Sequence, residues 1–235
     1  MTTFRSFSYL NLVLFGFVLI SVIACKTDDP VINVPVSSGS VIDKDSNVYK
    51  TITIGTQTWM AENLRTTHYR NGDAIVNVTV DATWIGLSTG AWCDYSNITS
   101  NGIKYGHLYN WYAASDIRNI APVGWHVPSD AEWTTLTNYL GGDNLAGGKL
   151  KEVGTLDWLS PNTGATNETG FSALPGGYRY FNDGTFVYQT INGAWWSSTD
   201  TSTKFAWGRL MSNSNSSVNK VSNMANGFSI RCIKD

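Results

Sequence analysis

Charged side chains are scarce in this sequence of 235 residues, and their number limits the functions that fit it. Lys and Arg number 16, Asp and Glu number 18, and together they make up 14% of the chain, which leaves a formal net charge of −2. A domain that binds nucleic acid usually has more Lys and Arg than Asp and Glu. The composition therefore excludes nucleic acid as the main partner.

Motifs for familiar catalytic chemistries are missing as well. The three His residues, His68, His107 and His126, are isolated and show no metal-ligand spacing, so we expect no metal site. No G-x-S-x-G, P-loop or H-E-x-x-H motif occurs. Enzyme function is the less favoured class, although acids and bases far apart in the sequence could still converge.

Hydrophobic and aromatic residues, in contrast, are abundant. The chain is 42% hydrophobic and contains 10 Trp, 11 Tyr, 9 Phe and 22 Gly. A disordered chain has the opposite balance of apolar and charged residues. The composition predicts a folded, β-rich body with many tight turns.

An apolar segment predicts a cleaved export signal over residues 1–24. Leu10–Ile23 is apolar apart from three residues, and it is shorter than the roughly 20 residues that a transmembrane helix needs. The segment ends in VIAC, which resembles the lipobox at which bacterial lipoproteins are cleaved and acylated. We expect Cys25 to be the lipidated first residue of the mature chain, and an ordinary secretory signal is the alternative.

Residues 25–40 contain Pro, Ser and Gly without a hydrophobic period, which predicts a flexible tether. The acidic pair in KTDDP resembles the short signal that sends some lipoproteins to the outer surface, and plain solubilising charge is the alternative. The predicted location is the outer membrane, with a lipid anchor and a surface-exposed body.

Turn signals between apolar runs predict an antiparallel sheet from residue 41 onward. Such turn signals are found at Asp45–Asn47, Asp183–Gly184, Asn192–Gly193 and Asn226–Gly227. Strand-turn-strand units with short separations are typical of a meander, here with one wider loop.

The strongest helix signal covers Ser129–Leu140. Ser129 is an N-cap residue and Glu132 follows three positions later, which makes a capping box, and two glycines end the helix. Residues 107–115 also show helical spacing, and a shorter helix is predicted over Leu145–Glu152.

Seven segments resemble the Fibrobacter succinogenes major paralogous domain family, which occurs in bacterial surface lipoproteins. In chain order they are TITIGTQTWMAENLRT, YGHLYNWYAAS, APVGWHVPSDAEW, AGGKLKE, GATNETGFSALPGGYR, AWWSST and GFSIRCIKD. The resemblance implies one domain over residues 41–235.

A more distant resemblance implies a fold. GWHVPSDAEW is similar to a block of formylglycine-generating enzymes, and NGFSIR resembles their closing block. Their superfamily has the C-type lectin-like fold, which implies an α+β domain with a twisted antiparallel sheet and two or three short helices. The same resemblance supplies an alternative function, a metal- or oxygen-dependent enzyme. Those enzymes bind copper with a Cys pair, however, and neither Cys93 nor Cys232 lies where such a pair would.

Cys93 and Cys232 have two interpretations. The mature chain is expected outside the cytoplasm, where disulfides persist, and these two residues allow one intrachain bond. Two buried free thiols fit the sequence equally well.

A candidate ligand site combines the long loop over residues 154–170 with the strands that follow. Exposed Trp and Tyr stack on sugar rings, and Asn, Asp and Arg hydrogen-bond hydroxyl groups. The candidate ligand residues are Trp158, Asn162, Asn167, Glu168, Tyr178, Arg179, Trp195, Trp196 and Asp200. Because Trp195 and Trp196 are consecutive in a strand, we expect one to face the core and the other the solvent. The alternative is that these aromatic residues simply fill the core.

No cofactor is expected. Asp157, Asn167, Glu168 and Asp200 offer oxygen ligands for Ca²⁺, but no D-x-D-x-D-G loop supports such a site. The predicted function is that of a non-enzymatic cell-surface lipoprotein that binds a polysaccharide or a surface protein.

Overall fold

The computed structural model describes residues 1–2, 37–203 and 205–235. The chain divides into two units, Met1–Ile32 and Asn33–Asp235, and every element named below lies in the second. The predicted export signal, Cys25 and most of the predicted tether therefore lie outside the described residues.

Short strands and short helices alternate along the described chain, which makes the fold α+β. The strands are β1 (Ser37–Ile42), β2 (Val48–Ile54), β3 (Gln57–Met60), β4 (Val76–Asn77), β5 (Ala91–Cys93), β6 (Leu108–Tyr109), β7 (Trp125–His126), β8 (Tyr178–Arg179), β9 (Phe186–Val187), β10 (Asn192–Ser202), β11 (Phe205–Ser212), β12 (Asn219–Ser222) and β13 (Ile233–Lys234). The helices are α1 (Asp81–Ile85), α2 (Thr99–Tyr105), α3 (Trp111–Ala114), α4 (Asp130–Tyr139) and α5 (Asp143–Leu150), with a 3₁₀ turn at Tyr95–Asn97.

The largest sheet joins the two ends of the described chain. Its order is β1-β2-β3-β13-β7, and each neighbouring pair is antiparallel. Ile233 of β13 lies opposite Trp59 of β3 on one side and opposite His126 of β7 on the other. The last strand is thus built into the sheet that the first hairpin begins.

The start of β1 corrects the predicted extent of the tether. Ser37 pairs with Ile52 of β2, so residues 37–40 belong to the sheet and not to the tether. Their pairing uses backbone hydrogen bonds and needs no hydrophobic period, which is why the sequence did not reveal it. The hairpin turn predicted at Asp45–Asn47 joins β1 to β2, as expected.

The predicted meander is formed by β10, β11 and β12, which pair in sequence order and antiparallel. The turn predicted at Asp183–Gly184 joins the two-stranded hairpin of β8 and β9. A third sheet, β4-β5-β6, contains a parallel pair between β4 and β5.

Strand β10 is covered on both faces, which contradicts the expectation that Trp195 or Trp196 faces the solvent. Both residues are 0% exposed. Trp195 packs in one hydrophobic cluster together with Trp59 and helix α4, and Trp196 packs in another. In the second cluster its ring lies 4.4 Å from the ring of Phe228, measured between centroids. Alternation assigns the two residues to opposite faces but does not make either face open to water.

Helix α4 follows the sequence prediction closely. Ser129 Oγ accepts a hydrogen bond from the backbone N–H of Glu132 at 3.2 Å, and Glu132 Oε2 accepts one from the N–H of Ser129 at 2.7 Å. This is the predicted capping box. Helix α5 is confirmed as well. The described residues contain five α-helices instead of the two or three expected. Helix α3 lies within residues 107–115, where the sequence shows helical spacing, whereas α1 and α2 have only five and seven residues and leave little periodic signal.

Candidate functional site

The aromatic residues predicted to stack on sugars lie in the core. Trp158, Trp195 and Trp196 are at most 1% exposed. Tyr178 is half-buried, and its ring packs edge-on against that of Phe228 at 5.5 Å. These residues do not form an exposed platform, so the expectation that their side chains are open to solvent is wrong.

Arg179 also serves the core. Its guanidinium is fully buried between the rings of Trp84 and Phe186, at 4.6 and 4.8 Å from their centroids. It donates to Asp81 at 2.7 Å and to three backbone carbonyls. Arg179 therefore ties separate loops together and is not free for a ligand.

The polar residues predicted in the long loop are engaged locally. Asn162 donates to the backbone carbonyls of Glu152 and Gly154, and Asn167 hydrogen-bonds a nearby serine. Glu168 forms an ion pair with Lys149 of α5 at 3.1 Å, and Asp200 lies exposed on β10. These contacts stabilise the loop, and none of the nine predicted ligand residues lines the main cleft of the domain, which lies elsewhere.

A cleft of about 330 Å³ lies where five parts of the fold meet. They are strand β2, the segment that follows β3, the end of α2, the long loop after α5 and the segment before β13. Because the lining comes from positions far apart in the chain, no local motif marks this cleft.

Arg231 forms the floor of the cleft, and its guanidinium is buried. The residue is 1% exposed, and the group lies over the ring of Phe171 at 4.1 Å from its centroid. It donates to Asn63 Oδ1 from Nε at 3.0 Å and from Nη2 at 2.8 Å, and to the backbone carbonyl of Phe171 from Nη1. Burial lowers the pKa of Arg231 to about 9, and the charge of Glu62 partly opposes this shift.

Asn63 holds the floor in place. Its Oδ1 also accepts the indole N–H of Trp195 at 2.8 Å, while its Nδ2 donates to the carbonyl of Tyr105 at 2.7 Å. The next residue, Gly106, has φ = +82°, and a Cβ there would lie 2.5 Å from Asn63 Cβ. Only glycine allows this close approach, so the wall formed by α2 is fixed against the floor.

Two ion pairs neutralise part of the rim. Arg65 Nη1 lies 3.1 Å from Glu62 Oε2, and Lys104 Nζ contacts Asp157 Oδ1. Arg65 and Lys104 therefore add little net positive charge to the cleft.

Two further ionisable groups of the cleft have no ion pair among the described residues. One is Lys50, an exposed residue of β2, and the other is Glu152, which follows α5. Burial raises the pKa of Glu152, and the neighbouring charge of Asp157 raises it further. Glu152 thus binds a proton more readily than an ordinary glutamate and can then donate a hydrogen bond.

Each histidine has a carboxylate partner that the sequence did not reveal. The pairs are His68 with Asp45 at 2.5 Å, His107 with Asp94 at 2.7 Å, and His126 with Asp235 at 2.7 Å and Glu132 at 2.8 Å. Burial works against the charged form of His126, but the hydrogen bonds to its two carboxylates outweigh it and raise its pKa. For His107 burial dominates and lowers the pKa.

Both remaining cysteines are buried free thiols, so of the two interpretations the disulfide is wrong. Cys93 packs in the cluster of Trp84, and Cys232 packs in the cluster of Tyr109. Burial raises the pKa of Cys93 to about 12 and raises that of Cys232 above its ordinary value. Neither thiol is prepared to act as a thiolate nucleophile or metal ligand.

Among the described residues, no group of three or more His, Cys, Asp or Glu side chains is arranged to hold a metal ion. Two of the residues considered for Ca²⁺ are already paired, Asp157 with Lys104 and Glu168 with Lys149. Within the same part of the chain, no helix has the length and apolar character needed to cross a bilayer.

A protein-family model described as the Fibrobacter succinogenes major domain matches residues 52–234 of the chain. The chain belongs to this family. The match confirms the resemblance carried by the seven segments, five of which contribute lining residues to the cleft. Neither a curated protein nor a solved structure matches the chain.

Sequence reasoning missed the cleft residues Asn63 and Arg231, although both lie in segments that carry the family resemblance. Their hydrogen bonds join positions 168 residues apart. No local signal marked either residue, because polar side chains are more often exposed than buried.

Proposed function

We propose that this chain is a non-enzymatic binding protein, anchored by a lipid on Cys25 and displayed at the outer membrane surface, which binds a polysaccharide or a surface protein in the cleft. The observation that carries the proposal is the cleft itself, a concave site with a fixed cationic floor. Ligand sites are typically concave and largely preformed, with a few placed polar groups.

The network beneath the cleft supports a binding role. Asn63 joins Arg231, Trp195 and Tyr105 through hydrogen bonds of 2.7 to 3.0 Å, so the floor needs little rearrangement when a ligand arrives. A preformed site reduces the entropy lost on binding. The cleft contains no cysteine or histidine to act as nucleophile or metal ligand, which favours binding over the alternative of a metal- or oxygen-dependent enzyme.

The location is argued from the first residues of the chain. An apolar segment that ends in VIAC fits a lipoprotein signal, and two or three acyl chains anchor a protein firmly because each buried CH₂ contributes about 0.8 kcal/mol. Cys25→Ser should release the protein from the membrane fraction. Retention of this variant at the wild-type level would contradict the lipid anchor.

We propose further that the domain has the C-type lectin-like fold. An antiparallel sheet that contains both the first and last strands, two consecutive helices α4 and α5, and a long irregular loop after α5 support this assignment. Superposition of an experimental structure on C-type lectin-like domains tests it. A different strand order in the common sheet would contradict it.

The test of function is a binding screen of the full-length chain in detergent against immobilised glycans and outer-membrane proteins. Specific retention that is lost when the cleft is altered supports the proposal. Metal analysis of the same preparation addresses the alternative, since a stoichiometric metal with no retained ligand would favour an enzyme.

A further inference from the structure

The three fully buried arginines among the described residues differ in how their charge is balanced. Arg179 lies 2.7 Å from a carboxylate oxygen of Asp81, and Arg209 lies 2.7 Å from one of Asp130. Arg231 has no carboxylate within ion-pair distance among the described residues, and its nearest acidic influence is the longer-range charge of Glu62. It is also the one of the three that lines the cleft.

A buried charge without a partner is costly, since the protein interior screens and solvates it poorly. Most N–H groups of Arg231 donate to neutral acceptors, which are Asn63 Oδ1 and the backbone carbonyls of Phe171 and Ser172. The second N–H on Nη1 has no acceptor among the described residues. The charge of Arg231 is thus not balanced by a carboxylate, and the residue lines the cleft, where an anion could balance it.

Lys151 is also a buried cation and can be compared with Arg231. Its ammonium donates to three backbone carbonyls, of Thr163, Ser212 and Asn215, at 2.8 to 3.0 Å. All three of its N–H groups are used, and it does not line the cleft. A buried cation can therefore be purely structural in this fold, but Arg231 differs in both respects.

The charges around Arg231 also favour an anion. Arg65 and Lys104 are paired with acids, which leaves Lys50 and Arg231 as the unpaired cations and Glu152 as the unpaired acid. Two unpaired cations against one unpaired acid leave the cleft with a net positive charge. A flat guanidinium presents N–H groups in the geometry that suits a carboxylate.

The size and lining of the cleft favour a sugar as the carrier of this carboxylate. A volume of about 330 Å³ lies at the lower end of the range for ligand sites and suits one sugar ring better than a peptide segment. Ile103 and Leu174 offer apolar surface for the C–H face of a ring, while Glu152 and Ser172 can hydrogen-bond hydroxyl groups.

We infer that the cleft binds a uronate residue of an acidic glycan, with the sugar carboxylate held between Arg231 and Lys50. This inference rests on the proposed binding function and names its ligand class. It requires the free carboxylate, so esterification of the same sugar should weaken the contact with Arg231, because the negative charge is lost.

The test measures binding of oligogalacturonate and of its methyl ester to the full-length chain by calorimetry in detergent. The acid form should bind at least about tenfold more tightly than the ester, the loss expected when a charge-assisted hydrogen bond is removed. Raising the salt concentration should weaken the acid form alone.

Two lysine variants locate the binding site. Lys50→Gln should weaken the acid form about fivefold to tenfold, because it removes an unpaired cation of the cleft. Lys44→Gln, an exposed position on the same hairpin that does not line the cleft, should change it less than about twofold. Arg231→Lys, checked for native circular dichroism, should weaken binding even though it keeps the charge, since the fork of donors is lost.

The outcomes separate this inference from the proposed function. If the ester binds as tightly as the acid, the uronate inference falls and glycan binding stands. If the two lysine variants behave alike, the glycan binds elsewhere and the inference also falls. Binding of an acidic peptide but not of the uronate would identify a protein partner and overturn the glycan assignment. If neither glycans nor proteins bind, both proposals fail.

Discussion

The strand with two buried faces allows a sharp test of the fold. Trp195 and Trp196 are neighbours on β10, both are 0% exposed, and they belong to different hydrophobic clusters. Replacing either one by Ala should therefore destabilise the protein strongly. A strand with one open face would give one large effect and one small effect.

The magnitude follows from burial, with a smaller contribution from hydrogen bonds. Truncation of a buried Trp to Ala costs about 3 to 5 kcal/mol. The lost indole N–H adds at most about 1 kcal/mol, because each acceptor keeps another donor. Asn63 Oδ1 still receives Arg231, and the carbonyl of Tyr109 still receives the backbone N–H of Phe228. We expect about 3 to 5 kcal/mol for each variant.

Trp207 provides a matched control on the neighbouring strand β11. It is half-buried, and Lys220 Nζ lies over its ring at 5.4 Å from the centroid. Trp207→Ala should cost about 1 to 2 kcal/mol, from partial burial and the cation–π contact.

Urea titrations followed by far-ultraviolet circular dichroism give the free energy of unfolding of each variant. Since domains of this size are stable by about 5 to 15 kcal/mol, an Ala variant that does not fold would be replaced by the corresponding Phe variant. A value within about 1 kcal/mol of wild type for either Trp195→Ala or Trp196→Ala would refute the two-sided burial of β10.

Three further predictions concern smaller features. Ser129→Ala should reduce the free energy of unfolding by about 0.5 to 2 kcal/mol in urea titrations, because it removes the helix cap, and a change near zero would contradict the capping box. The raised pKa of His126 means that its stabilising effect is complete below its unfolded value near 6.5 and is lost as the pH rises through the folded value. Asp235→Asn should lower that pKa in an NMR titration, and an unchanged pKa would contradict the ion pair. Cys93 and Cys232 should resist alkylation in the native protein and both react after unfolding without reductant, and intact mass showing a missing alkyl group at either would indicate a disulfide.

The elements that the sequence predicted are those with local signals. The capping box at Ser129 and the turns at Asp45–Asn47 and Asp183–Gly184 depend on residues within a few positions of one another. Strands β7 and β13 have two residues each, too few to show a period. Strand β13 takes its place by pairing with β3, and β7 takes its place by pairing with β13. Local pattern could not reveal them.

The candidate site was predicted less well because its contacts are long-range. Alternation along β10 correctly assigned Trp195 and Trp196 to opposite faces, but exposure depends on what packs against each face. The floor of the cleft unites Asn63 and Arg231 across 168 residues. The sequence therefore identified the family and many elements of the fold, while the cleft became visible only in three dimensions.

Charged residues are scarce in this chain, yet several of its cations are buried and hydrogen-bond backbone carbonyls. A fold rich in irregular loops has many backbone carbonyls outside sheets and helices, and each buried carbonyl needs a donor. Three buried cations donate to such carbonyls: Lys151 to that of Thr163, Arg179 to that of Gly184 and Arg231 to that of Phe171. Lys151 uses every donor in this way, and Arg179 is balanced by Asp81. Among these three, only Arg231 both lacks a carboxylate partner and lines the cleft, which is why we assign it a role in ligand binding as well as in the fold.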